Sequence, residues 1–164
     1  MPDEFSVRLE DEEFRKATER FGVHLSDLRP FWSAVVPLFI GWMRAQFLTE
    51  GAFGGQPWAA LSQDYAERKA IARPGAGILV YDGDLRKAAS HPKRIQTKDE
   101  LQLSIPWAEV KGKPVDLDWH QEGTPRMPAR PLLFSEPLPP AARASLEIAA
   151  EEYIGTAIKA SGLG

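Results

Sequence analysis

The sequence predicts an α+β domain, with N-terminal helices and one C-terminal helix packed on a small, mostly antiparallel β-sheet. Three observations predict it. Leu28, Phe31, Trp32, Val35, Leu38, Phe39, Trp42 and Phe47 recur at near-helical spacing, which marks a long helix with an apolar stripe. Leu101, Leu103 and Ile105 alternate with Gln102 and Ser104, the pattern of a strand with one buried face. Leu146, Ala149, Ala150, Tyr153, Ile154, Ala157 and Ile158 give an amphipathic helix over about 139–161. Helices first, then short strands, then a helix is the order of a domain whose helices cover one side of its sheet.

Each element follows from local chemistry. Phe5-Ser6-Val7-Arg8-Leu9 alternates as an edge strand does. Asp11 then caps a helix bearing Phe14, Ala17 and Phe21, which Gly22 ends. Asp27 caps the long helix from Leu28 to Phe47, and Pro37 kinks or divides it, because its ring clashes with the carbonyl four residues back. The run 51–58 is rich in breakers and reads as a loop. A short helix spans Ser62 to Ile71, with Ser62 as N-cap. After the turn Pro74-Gly75-Ala76-Gly77, Ile78-Leu79-Val80-Tyr81 reads as the clearest strand of the chain. Asp82-Gly83 is a turn, and Leu85 to Ala89 a short helical segment. Strands are expected at Arg94 to Thr97 and Glu100 to Ile105, with Val115 to Trp119 returning to the sheet. Pro139 and Pro140 suit the start of the last helix, and Gly162 its end.

Composition bounds the function. The 164 residues suffice for a single domain, 1–164, with an ordinary hydrophobic share of 43%. The net charge of −3 offers no global attraction to nucleic acid or to anionic membranes. Locally, Asp3, Glu4, Glu10, Asp11, Glu12 and Glu13 make the N-terminus acidic, and Arg86, Lys87, His91, Lys93, Arg94 and Lys98 make the middle basic. Either these are solvated faces, or subunits meet acidic side to basic side. Without cysteine there are no disulfides and no sulfur-based zinc sites. No secretory signal is visible, and the stretch from Phe31 to Phe47 is interrupted by Pro37, Arg44 and Gln46, short of a membrane span.

No catalytic motif stands out. His24, His91 and His120 are not beside a recognisable nucleophile motif, and no P-loop, nucleophile elbow or H-E-x-x-H helix occurs. Asp116, Asp118 and His120 alternate, so on a strand they would share a face and could bind a divalent cation; the wet face of a strand gives the same pattern. Asp82-Gly83-Asp84 lacks the other ligands of a calcium loop, and Glu151-Glu152 point in different directions on a helix. The expectation is a protein that is not an enzyme and holds no metal or cofactor.

Between the strands and the last helix lies a stiff, proline-rich arm, 124–134, with Pro125, Pro128 and Pro131 interleaved with Arg126 and Arg130. Such a segment suits docking on something larger.

The ordered motifs resemble a known family. Gly55-Gln56-Pro57-Trp58-Ala59-Ala60-Leu61-Ser62 is similar to its G-x-x-W-x-x-L-S segment, followed by Tyr65 and Lys69. Ile78-Leu79-Val80-Tyr81-Asp82-Gly83-Asp84-Leu85-Arg86 resembles its I-L-x-x-[ST]-G-x-L-R. His120-Gln121-x-Gly123 and Pro128-Ala129-Arg130-Pro131-Leu132 resemble its H-Q-x-G and P-A-R-P-F ending. The family is the phage virion morphogenesis or tail completion proteins of Mu-like contractile-tailed phages and prophages. There are two departures. Asp82 stands in place of Ser or Thr, and residues 109–119 separate Pro106-Trp107-Ala108 from His120 as an inserted loop.

The resemblance implies a structural subunit that completes or caps the head-proximal end of the tail for head–tail joining. It implies a homo-oligomeric ring, often a hexamer, meeting tail tube, terminator or neck proteins. The compartment would be the host cytoplasm during assembly and then the virion, with no membrane partner. On this reading Arg126, Arg130, Pro131, Leu132 and Leu133, with His120 and Gln121, form a protein interface. The arginines would bond carboxylates of a neighbour. The arm could equally fold back on its own domain, with Arg130 paired internally. The first placement predicts that Arg130→Ala weakens assembly and spares the fold; the second predicts the reverse. A nucleic-acid-binding module using the basic segment 86–98 with Trp107 is the alternative function, and weak contact with DNA suits a tail-end protein as well.

Overall fold

The computed structural model describes residues 12–105, 109–110, 113–114, 117–134 and 137–164. The architecture is α+β, as the sequence predicts, with helices and a small antiparallel sheet. Helices α1 (Glu12–Leu25) and α2 (Arg29–Leu48) follow one another along a third long helix from the far end of the chain, α6 (Pro140–Ser161). Between α2 and α6 the chain forms three short helices, α3 (Gln63–Ala72), α4 (Asp84–Ala89) and α5 (Leu117–Glu122). Two hairpins complete it. β1 (Lys93–Gln96) pairs antiparallel with β2 (Leu101–Ser104), Lys93 opposite Ser104, and β3 (Glu109–Val110) pairs with β4 (Lys113–Pro114).

Helix α6 lies antiparallel to both partners. Arg20 Nε donates to Ser161 O at 3.1 Å, and the Tyr153 hydroxyl reaches His24 O at 2.7 Å and Asp27 O at 2.8 Å. Trp42 Nε1 donates to Ser145 Oγ at 3.0 Å, while the Phe31 and Tyr153 rings meet at 5.8 Å. Small residues on α6 (Ala142, Ala149, Ala157 and Ser161) are buried and let the helices approach closely. Gly162 ends α6 in the left-handed region at φ 81°, as a C-terminal glycine does.

The start of α2 differs slightly from expectation. Leu28 takes the cap position, and Asp27 acts from one residue earlier, accepting from the Arg29 backbone at 3.1 Å and from its guanidinium. Ser62 does occupy the cap position of α3, but its side chain makes no capping bond. Helix α1 passes Gly22 and runs on to Leu25.

Two expected strands are not strands. Ile78-Leu79-Val80-Tyr81 is a turn: Val80 N bonds Gly77 O at 3.1 Å, and Leu79 sits at φ 57°. A strand needs a ladder partner, whereas the Ile78 amide bonds the Glu50 carboxylate at 2.7 Å. The expected strand to Trp119 contains α5 instead, so Asp118 and His120 lie two apart on a helix and face different ways. Asp116 and the strand expected at Phe5 to Leu9 lie outside the described residues.

The core is built on the C-terminal half of α2. Met43, Phe47, Trp58, Leu85, Ala89, Ile105 and Leu132 form one buried cluster, with the Phe47 and Trp58 rings edge-on at 5.5 Å. Helix α2 runs on as one helix through Pro37, Arg44 and Gln46, and by length and composition it meets the requirements of a membrane-crossing helix, where the sequence reading expected a division at Pro37 and a stretch short of a span. Met43 is fully buried, so Met43→Ala is expected to cost about 2–5 kcal/mol of stability, read as a lower urea midpoint.

Candidate functional site

The site begins where α2 ends. Gly51 and Gly55 take φ of 94° and 103°, turning the chain through a short 3₁₀ helix, Ala52–Gly54. The turn brings Trp58 back, its amide bonding Glu50 O at 2.6 Å. A Cβ on Gly51 would lie 2.5 Å from the Trp58 ring, so only glycine fits there. From this elbow the chain passes into α3, the 77–85 loop and α4.

The proline-rich segment is tied across these elements by side chains. Proline supplies no N–H, and a segment with three prolines cannot join a ladder, so its polar backbone groups need other partners. Pro131 O accepts from Gln46 Nε2 at 3.0 Å and from Trp58 Nε1 at 2.9 Å. Gln121 Oε1 accepts the Leu132 and Leu133 amides at 3.0 Å each, and its Nε2 donates to Leu133 O at 2.9 Å. Arg130 donates through Nε to Ala59 O at 2.8 Å and through Nη2 to Ala60 O at 2.9 Å. Its own amide reaches His120 O at 2.7 Å. Gly123, at φ 80°, lets this return pass: a Cβ there would lie 2.7 Å from Ala129 N.

Around these ties lies a groove of about 660 Å³ between α3, the 79–85 loop, α5 and residues 126–130. Its walls include Leu61, Tyr65, Tyr81 and Leu85, with Lys69, His120, Arg126 and Arg130 adding polarity. Lys69 is 4% exposed and donates to Gly77 O at 2.5 Å. Its pKa is lowered, first by burial and also by Arg130, while the nearby Glu50 opposes the shift. Asp82 at the rim is paired with Arg73, whose guanidinium stacks 4.8 Å from the Tyr81 centroid.

His120 is half-buried, and its Nδ1 is buried without a hydrogen-bond partner. Desolvation lowers its pKa, and the Arg130 charge lowers it further. Among the described residues no group of three or more His, Cys, Asp or Glu is placed to hold a metal.

All seven residues expected at an interface come together here, and of the two placements open to the arm it takes the internal one. Arg130 (5% exposed) and Leu132 (2%) face inward, and the Gln121 side chain is consumed by the arm's own backbone. The arm therefore folds back, and these three are unavailable to a neighbour. Pro131 and His120 are half-buried. Arg126 and Leu133 remain exposed, Arg126 at the tip of a turn closed by Thr124 and Met127. In the basic segment Arg86, Lys87, Lys93 and Arg94 are exposed on α4 and β1. Sequence reasoning missed Gln46 and Glu50 as ties; an amide within an apolar helical stripe was the available signal for Gln46. No family model, curated protein or solved structure matches the chain.

Two expectations follow. Arg130→Ala removes two charge-assisted bonds and is expected to lower stability by about 3 kcal/mol or more in urea unfolding, with Arg130→Lys recovering part of it. A histidine whose folded pKa is depressed binds its proton more readily when unfolded. Stability is then full above the unfolded value near 6.5 and falls as pH drops through it towards the folded one. Urea midpoints measured from pH 7.5 to 5 are expected to fall more steeply in the parent chain than in His120→Gln.

Proposed function

We propose that the chain is a structural subunit of phage virion morphogenesis, completing or capping the head-proximal end of the tail for head–tail joining. One observation carries the reading. The residues that resemble the tail completion family, scattered from Trp58 to Leu132, gather around one groove and hold one another's backbone. They serve shape, and no reacting centre is assembled among them.

Helix α2 adds support. Its apolar window is only 22% buried. A subunit that is covered on assembly accounts for this. Contact with DNA through the exposed Arg86, Lys87, Lys93 and Arg94 is a secondary role, read as a salt-dependent mobility shift. The test of the main reading is a phage or prophage from which this gene is deleted. Induced lysates are expected to show filled heads and unjoined tails by electron microscopy, and complementation to restore plaques. Normal tailed, infectious particles would sink the proposal.

A further inference from the structure

The β1–β2 hairpin is covered on one side only. Gln96, Leu101 and Leu103 share the side held to the start of α2, where Gln96 Nε2 donates to Arg29 O at 3.1 Å and the Leu28 amide to Lys98 O at 2.8 Å. Alternation puts Lys93 and Ile95 on the other side, opposite Ser104 and Gln102, and all four are exposed, Ile95 by 65%. Arg94 beside it is exposed too, as are Arg86 and Lys87 on α4. From Leu85 to Lys98 the chain carries no acid. A small sheet is ordinarily covered by a helix, and these cations restrict which helix can cover this one.

Helix α6 has the matching face. Ala149 and Ala157 are buried towards the other helices, so Ile148, Glu151 and Glu152 turn away together, at the spacing of one helix face. Ile148 is 57% exposed. Glu147 stands just before it, and the exposed Ala141 and Ala144 keep the surface around it low. The cations of α6, Arg143 and Lys159, lie in its first and last turns. None of Glu147, Glu151 and Glu152, nor of Arg86, Lys87, Lys93 and Arg94, forms an ion pair with a described residue.

The two faces cannot meet within one molecule. Leu85 and Ala89 of α4 cluster with Met43 and Phe47 of α2, whereas α6 meets α2 at Phe31 and Trp42. Helix α2 therefore lies between them, and the glutamates sit on the far side of α6.

We infer that the outer face of α6 in one copy docks on the uncovered face of the hairpin and α4 in the next, a head-to-tail contact between copies of this chain. This rests on the reading of the chain as an assembling subunit. Ile148 and Ile95 meet at the centre, and the three glutamates face the four cations around them. Exposed ion pairs are individually weak, so the charges set orientation and encounter rate while the isoleucines leave water. Such a contact uses two different surfaces, and its repetition closes a ring or grows a filament. A nucleic-acid backbone would engage the same cations but leave Ile95 without an apolar partner, which favours the protein occupant.

The test is a charge exchange in the full-length chain, read by light scattering over a range of concentrations. The parent is expected to associate, and to do so at least about tenfold more weakly in molar salt, where screening is short-ranged. The variants E147K/E151K/E152K and R86E/K87E/K93E/R94E are each expected to stay monomeric with the unfolding midpoint of the parent, because their two faces then carry like charge. Mixed in equal amounts, they are expected to associate again. I148S is expected to weaken association of the parent without touching any charge. A parent that stays monomeric throughout, variants that associate as the parent does, or a mixture that stays monomeric would overturn the inference. So would loss of a DNA mobility shift in R86E/K87E/K93E/R94E with association untouched, which gives that face to nucleic acid. Failure here leaves the deletion phenotype of the gene intact. A contact that forms in a protein dispensable for tails would instead sink the functional proposal alone.

Discussion

The fold depends on how one proline-rich strip of backbone is held. Residues 128–133 lack the amides needed for a sheet, yet Leu132 of that strip lies in the centre of the core. The strip can be buried only because Trp58, Gln46 and Gln121 meet its carbonyls and amides. Arg130 works in the opposite direction, leaving the strip to hold the carbonyls of Ala59 and Ala60. The strip thus clasps α2, the elbow before α3, and α5 together. Groove and core are two sides of that clasp.

This explains which parts were legible in the sequence. Helices α2 and α6 carry periodic apolar stripes long enough to determine their own type, and both ends of α6 announce themselves through Pro139, Pro140 and Gly162. The β1–β2 hairpin was readable from the alternation of Leu101 and Leu103 with polar residues. The run Ile78 to Tyr81 was not. Four apolar residues between glycines fit a strand, a helix turn or a packed bend equally well. A single distant carboxylate, Glu50, decides for the bend by taking the Ile78 amide. The segment ending at Trp119 failed for a related reason, since alternating charge is compatible with either period over so few positions.

The candidate site was half legible. His120, Gln121, Arg130 and Leu132, singled out as part of an interface, lie together in the structure, and of the two placements the sequence left open for the arm it takes the one folded back on its own domain. Stiffness in the chain does not say which way it points. The guanidinium of Arg130 turns inward to bond the Ala59 and Ala60 carbonyls at the elbow. Buried cations satisfied by backbone oxygen rather than by acids leave no trace in the pattern of charges, so Lys69 and Arg130 look in sequence like surface residues.

That choice of acceptor has an evolutionary corollary. A bond to a main-chain oxygen is indifferent to the side chain that the oxygen belongs to. Ala59, Ala60 and Leu133 can drift without loosening the clasp, provided their backbone keeps its course. The donors Gln46, Trp58, Lys69, Gln121 and Arg130 have no such freedom. Divergent descendants of this chain should therefore retain a sparse signature of isolated fixed letters separated by variable ones, with overall similarity fading long before the architecture does.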